Sequence, residues 1–321
     1  MTTKYSPQAT APRGKLPMSF CSNRHVSSSQ GKPVAPGPRD RHHGGHKESG
    51  ADMPETLHVI TRERHLHKKW QRPTGYGFAA SINLAPVGAS EIAHAGRAFP
   101  LAFVDMEDGA TLVALFSLHR DRNLFVAPDG RWLASHVPAA LQNFPFSLGR
   151  QADGKFALCV NEASGLIRDT AVGEHGFPFF ASDGTPTRET QAIADSLTRA
   201  RRSLDVVRNA VAALATRGLL EPWPVVAKEE TGDRRIGGLK RINEAALNAV
   251  GADDLVALRD CGALATAYCQ LFSMGNISVL GSLAGAQDRA RRQRMAIPAN
   301  SFIPEDDGNL KIDWSTFLKD E

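Results

Sequence analysis

Cysteine is scarce: four residues in 321, at positions 21, 159, 261 and 269, with no C-x-x-C pair. That excludes a disulfide scaffold and a cysteine-based zinc site. Cys261 and Cys269 read as one helix, roughly 12 Å apart at 1.5 Å per residue, too far for a bridge. Reduced thiols in a cytoplasmic compartment are the expectation, with the cell surface as the alternative if a signal other than a leader directs the chain there. An apolar leader core is missing too, since Leu16-Pro17-Met18-Ser19-Phe20 is far too short to be one. Excess charge is absent from most of the chain. Residues 1–52 hold eight Lys/Arg and three Asp/Glu, a net +5, and the remainder holds 30 basic and 31 acidic residues, a net −1. A nucleic-acid binder carries its basic excess on a folded face, so nucleic acid is excluded as an expected partner.

Signatures of known chemistry are lacking as well. There is no G-x-S-x-G, no Walker A loop and no G-x-G-x-x-G following a strand. His119-Arg120-Asp121 matches three letters of the kinase catalytic loop, but Asn123 comes too early and the rest of the kinase set is missing. His65-Leu66-His67 would place two imidazoles on one side of a strand. Arg62, Arg64, Lys68 and Lys69 around them oppose a divalent ion, so a surface basic stretch is expected and no metal. His42, His43 and His46 lie among glycines with no preformed geometry. No cofactor is expected.

What the chain does contain is a pattern of short strands followed by long helices. Nineteen of the first 52 residues are Pro, Gly or Ser, and residues 1–53 read as a disordered basic tail. Alternating or apolar runs predict strands at 57–61, 76–84, 101–105, 111–118 and 156–160, and another at 123–126 before the turn Pro128-Asp129-Gly130. Short helices are expected at 90–96, with Ser90 as N-cap, and at 138–143. Cys159 falls on a core strand as an inert thiol.

The second half is helical. Thr185-Pro186 reads as a helix start, and Gly218 as its stop. Between them Ile193, Leu197, Ala200, Leu204, Val207, Val211 and Leu214 recur at alternating spacings of four and three. This stripe is expected to pack within one chain, with a homodimer seam as the alternative. A strand at 236–242 precedes a helix capped by Asn243, and Asp253-Asp254 open a helix running through Ser273. Residues 261–287 carry no charge, which is long enough to raise a membrane span. Gln270, Asn276 and a helix stop at Gly275-Asn276 argue instead for two core segments and no integral span. The predicted fold class is α+β, a strand-rich N-terminal half and a helical C-terminal half packed as one domain. Its bounds are 54–283, after the tail and before a polar extension over 284–321.

Two polar groups stand out as candidate ligand contacts. Trp70, Arg72 and Tyr76 combine a fork of donors with aromatic area. Glu162 ends a core strand, where a scaffold presents side chains rigidly. No catalytic set accompanies them.

The order of several short segments carries a family resemblance. Residues 65–73 precede Tyr76-Gly77-Phe78-Ala79, then Phe99-Pro100-Leu101-Ala102-Phe103-Val104, Asn123-Leu124-Phe125-Val126 and Asp129-Gly130-Arg131-Trp132. Val137-Pro138-Ala139, Pro145-Phe146, Leu158-Cys159-Val160, Phe179-Phe180-Ala181-Ser182-Asp183-Gly184 and Gly218-Leu219-Leu220-Glu221-Pro222 follow, ending at Leu271-Phe272-Ser273-Met274-Gly275-Asn276. This collinear set resembles the SapC family of bacterial proteins over residues 55–283. The resemblance implies a bacterial chain linked by family name to the surface layer, and it brings no catalytic residues with it. Family members tend to have Asp-Glu-Asp-Ser where this chain reads Asn161-Glu162-Ala163-Ser164, so two carboxylates of that loop are missing. The expected function is a non-catalytic binding or accessory protein for surface-component assembly or modification, with an unknown protein or small ligand as partner. The alternatives are a structural surface-layer component, or an enzyme with a site around Arg72, Tyr76 and Glu162.

Overall fold

Strands in the first half are short because apolar and β-branched runs there are repeatedly cut by Gly, Pro and Asp. The computed structural model describes residues 56–296, apart from 107–108, 152, 171–174 and 230–231. The expected tail over 1–53 and most of the expected extension over 284–321 lie outside the described residues. By contact the chain divides into two units, Met1–Leu280 and Gly281–Glu321.

In the first unit the strands are β1 (Leu57–Val59), β2 (Lys68–Trp70), β3 (Leu84–Pro86), β4 (Leu101–Met106), β5 (Gly109–Leu115), β6 (Phe146–Arg150) and β7 (Phe156–Asn161). They continue with β8 (Ile167–Asp169), β9 (Phe177–Pro178), β10 (Leu220–Pro222), β11 (Val225–Glu229), β12 (Gly232–Ile236) and β13 (Leu239–Ile242). The helices are α1 (Arg62–His65), α2 (Ile92–Ala98), α3 (Ala139–Gln142), α4 (Arg188–Thr216), α5 (Glu244–Asn248), α6 (Ala252–Asp260) and α7 (Ala263–Ser273), with α8 (Ile277–Ala296) continuing into the second unit. The α+β class and its division into a strand-rich half and a helical half are as expected.

The main sheet has the order β10-β13-β4-β5-β3 and is antiparallel throughout. Its central strand β4 buries four residues in a row, Leu101 to Val104, so both faces are covered. Two three-stranded sheets, β1-β7-β6 and β8-β2-β9, enclose a second cluster of Trp70, Phe146, Val160 and Phe179. Helix α4 joins the two. Its N-terminal residues Ile193 and Leu197 pack on the Trp70 cluster, while Val207, Val211 and Leu214 are buried where the helix meets β5 and α7. At 1.5 Å per residue it spans about 43 Å, enough to bridge both cores. The predicted stripe is thus used inside the chain.

Several local expectations are corrected. Residues 76–84 form a 3₁₀ turn at Gly77–Ala79 rather than a strand, because Tyr76 is drawn back by its amide donating to Gly130 O at 2.7 Å. This close approach needs glycine: a Cβ on Gly75 would lie 2.9 Å from the same oxygen. Thr187, not Thr185, caps α4, its Oγ1 accepting from Thr190 N. The helix expected from Asp253 to Ser273 is two helices, since Gly262 adopts a φ of +75° between Cys261 and Ala263. The expected break at Gly275-Asn276 is present, since α7 ends at Ser273. It forms a 3₁₀ turn at Met274–Asn276 that leads directly into α8.

Helix α7 is fastened to the main sheet by polar side chains. Pairing of β13 with β4 sets Leu239 opposite Val104 and Lys240 opposite Phe103, a register that brings Ile242 opposite Leu101. There the buried Gln270 carboxamide stands between the strands. Its Oε1 accepts from Ile242 N at 3.0 Å and its Nε2 donates to Leu101 O at 3.2 Å. Leu101 N donates to Ser273 Oγ, and Asn276 Nδ2 donates to the carbonyls of Gly96 and Phe99. Among the described residues one stretch, Ala263–Ala290, is long and apolar enough to cross a membrane by length and composition. Its polar anchors to β4 and β13 make α7 a sheet-docked helix rather than a clear membrane span.

Candidate functional site

Glu162 follows β7 directly and opens a 3₁₀ turn, Glu162–Ser164, capped by Asn161 Oδ1 accepting from Ala163 N. Its own amide donates to Thr56 O at the start of β1. The chain leaves β1, turns through α1, which carries Arg64 and His65, and returns as β2, which carries Lys68 to the same carboxylate. Arg64 donates from Nε to Oε1 at 2.8 Å and from Nη2 to Oε2 at 2.9 Å, a bidentate fork. Lys68 Nζ donates to Oε1 at 3.0 Å, and His58 Nε2 lies 4.0 Å from Oε2. The Arg64 hydrogen bonds pull the Glu162 carboxyl down to about 2 against the opposing effect of partial burial, with Lys68 adding to the pull.

His65 is the buried member of the group. The ring is fully enclosed, packed edge-on against Phe179 at 5.0 Å, and its Nε2 lies 3.1 Å from Glu162 Oε1. Despite that distance the Nε2 is off the line of a hydrogen bond and has no other partner. Burial lowers its pKa, opposed by the nearby Glu162 charge, so the imidazole is neutral at pH 7. The expected same-sided His65/His67 strand pair is corrected, because His65 ends a helix and points inward while His67 is exposed.

The four expected ligand contacts are distributed among different neighbours. Trp70 is a core residue, 1% exposed, its ring against Phe146 and Phe177 at 4.9 Å each. The expectation that this ring faces a ligand is corrected: β2 is the middle strand of its sheet, and the side chain on this side of it is turned inward. Arg72 is exposed and reaches the same Phe177 ring, 5.9 Å from its centroid. Tyr76 joins another aromatic group, 5.5 Å from Trp132 and 6.0 Å from Phe78. Trp70 and Arg72 therefore share a neighbour, while Tyr76 and Glu162 each belong elsewhere.

Sequence reasoning missed two arrangements. Glu91, 7% exposed, accepts from His136 Nε2 at 2.9 Å and Ala139 N at 2.8 Å through Oε2, and from Gly88 N through Oε1. It thereby satisfies the first amide of α3, forty-eight residues away. Ser90, expected to cap α2, bonds Ser203 Oγ on α4 instead, at 2.9 Å. Nothing local in sequence signals either contact. The second is a groove of about 390 Å³ between β10, β13, α5 and α7, bordered by Glu221, Arg241, Glu244, Tyr268 and Phe272. The cue available was the charge-free run itself, whose aromatic residues had been read as core.

Compared with known proteins, the chain matches the family model described as SapC over residues 60–280. No curated protein and no solved structure matches it. The match takes in the Glu162 cluster from Arg64 onward, strands β2 to β13 and α7, and covers well over half of the sequence. The chain belongs to the SapC family.

Proposed function

We propose that this chain is a non-catalytic binding or accessory protein, serving the assembly or modification of bacterial surface components, that recognises an anionic group through the cations gathered at Glu162. The observation that carries the reading is the state of Glu162. A carboxyl held at about 2 stays ionised at every pH at which a cell works. A general acid or base works best near the operating pH, so this group is a poor proton carrier and a good fixed counter-ion. It orients Arg64 and Lys68, two full positive charges against one negative, and leaves a surplus for a ligand carboxylate or phosphate. Arg64 remains about half exposed, with donors available to solvent. The reading places the protein in the cytoplasm, which cell fractionation tests directly.

The binding test is a melting-temperature titration with inorganic phosphate, pyrophosphate and citrate at constant ionic strength. A saturable rise with at least one of them, beyond that given by chloride, is expected, since a ligand that binds only the folded state raises the midpoint. Lys68→Gln should weaken the response, since Lys68 is one of the two cations held at the Glu162 carboxylate. A wild-type midpoint indifferent to all three anions overturns the reading.

A further inference from the structure

The face of α7 turned away from the main sheet carries the most exposed large apolar side chain among the described residues. Phe272 is 81% exposed and stacks on Tyr268, itself 41% exposed, with ring centroids 6.1 Å apart and planes 21° from parallel. The stripe continues through exposed Gly275 to Val279 at spacings of four, three and four. An aromatic side chain presents on the order of 150 Å² or more, an area that chains rarely leave in water without a use. Beside this projection lies the groove, with buried Ile242 at its base and half-buried Leu271 and Met274 in its walls.

We infer that this face is the contact between two copies of the chain, related by a twofold axis, with Phe272 of each copy seated in the groove of the other. Two features select a second copy over an unrelated partner. First, projection and recess adjoin one another on a single surface, which is what an isologous contact requires: each patch must be complementary to itself. Second, the charges at the groove are self-complementary. Arg241 donates from Nε to Glu221 at 2.8 Å, and among the described residues its terminal nitrogens have no hydrogen-bond partner. Exposed Glu244, on the same groove, has no ion-pair partner among the described residues. In the inferred dimer Arg241 of one copy pairs with Glu244 of the other, twice. The stripe itself carries no charge to bury. Gly275, with open space around it, lets the partner's helix approach closely.

The test is sedimentation equilibrium of the full chain. Wild type is expected to dimerise, and Phe272→Asp to weaken the dimer by about 100-fold or more, the range of an interface anchor. Its melting temperature below the dissociation constant should be unchanged, because the side chain makes little of the chain's own core. Glu244→Arg should weaken association about ten-fold, and the double variant Glu244→Arg/Arg241→Glu should restore it. A wild-type chain monomeric up to about 100 µM overturns the inference, since no specific contact of useful strength would be that weak. So does a dimer that survives Phe272→Asp, and so does a monomer that uses this face for a protein of different sequence.

Discussion

At the scale of single residues, the Glu162 cluster makes stability depend on pH in a definite direction. The folded carboxyl is held from 4.5 down to about 2, so its stabilisation is complete above the unfolded value and is lost as pH falls from 4.5 to about 2. Solvent around the half-exposed Arg64 screens the pair, so Glu162→Gln should cost on the order of 1 kcal/mol at pH 7 while flattening the acid limb of a denaturation curve between those values. Charge on the folded His65 is disfavoured, so its contribution is present above pH 6.5 and declines as pH falls below that. His65→Asn should therefore reduce the change in stability between pH 7 and pH 5, measured by urea unfolding at each pH. Glu162 was legible because it stands at the end of an alternating strand, where residue type and position suffice to single it out. Its partners were not. Arg64 and Lys68 sit in a run of cations that reads as solvated surface, and only the reversal of the chain through α1 folds them onto a carboxylate nearly a hundred positions away. Trp70 was misjudged for a related reason: an amphipathic ring beside an arginine resembles a ligand platform until the fold packs Phe146 and Phe177 against it.

At the scale of elements, periodicity was the most trustworthy cue and glycine the least. The stripe of α4 reports its buried face correctly, and Val211, fully buried there, should not tolerate charge. Val211→Asp is expected to abolish cooperative unfolding at 37 °C by placing an unpaired carboxylate in the core, with circular dichroism melting as the check. The two glycine breaks differ in kind. Gly262 takes a left-handed conformation and splits a predicted helix, whereas Gly275 sits in the 3₁₀ turn between α7 and α8, where Asn276 is tied to the carbonyls of Gly96 and Phe99. No single-sequence rule tells these apart, since the decision is made by a contact with α2 and its C-terminal neighbour. Gln270 illustrates the same limit. Read along the chain it is a polar interruption of an apolar run; in the fold it completes a β-ladder. Gln270→Leu should cost about 2–4 kcal/mol by leaving Ile242 N and Leu101 O without partners, a loss measurable by chemical denaturation.

At the scale of the whole molecule, the class and the division of labour between strands and helices were legible because they rest on composition and period summed over many residues. Which strands neighbour which was not, since β4 lies between β5, its neighbour in sequence, and β13, more than a hundred residues further on. Family similarity begins at residue 60, and the described structure begins at Thr56. Deleting residues 1–53 should accordingly leave the melting temperature within about 2 °C of wild type, by scanning calorimetry on both chains. A larger drop would show that the segment contributes to the fold. The carboxamide standing in the ladder between Leu101 and Ile242 also bears on how the protein is made. A chain emerging from the ribosome can pair β3, β4 and β5 early, but the open edge of β4 must wait for β13, and the junction is not sealed until Gln270 arrives. At elongation speeds of about 5–20 residues per second that interval is on the order of ten seconds. For that time a strand of four buried apolar residues has one side unpaired, the condition under which nascent chains recruit chaperones or join one another. Translation rate between codons 115 and 270 thus becomes a determinant of yield.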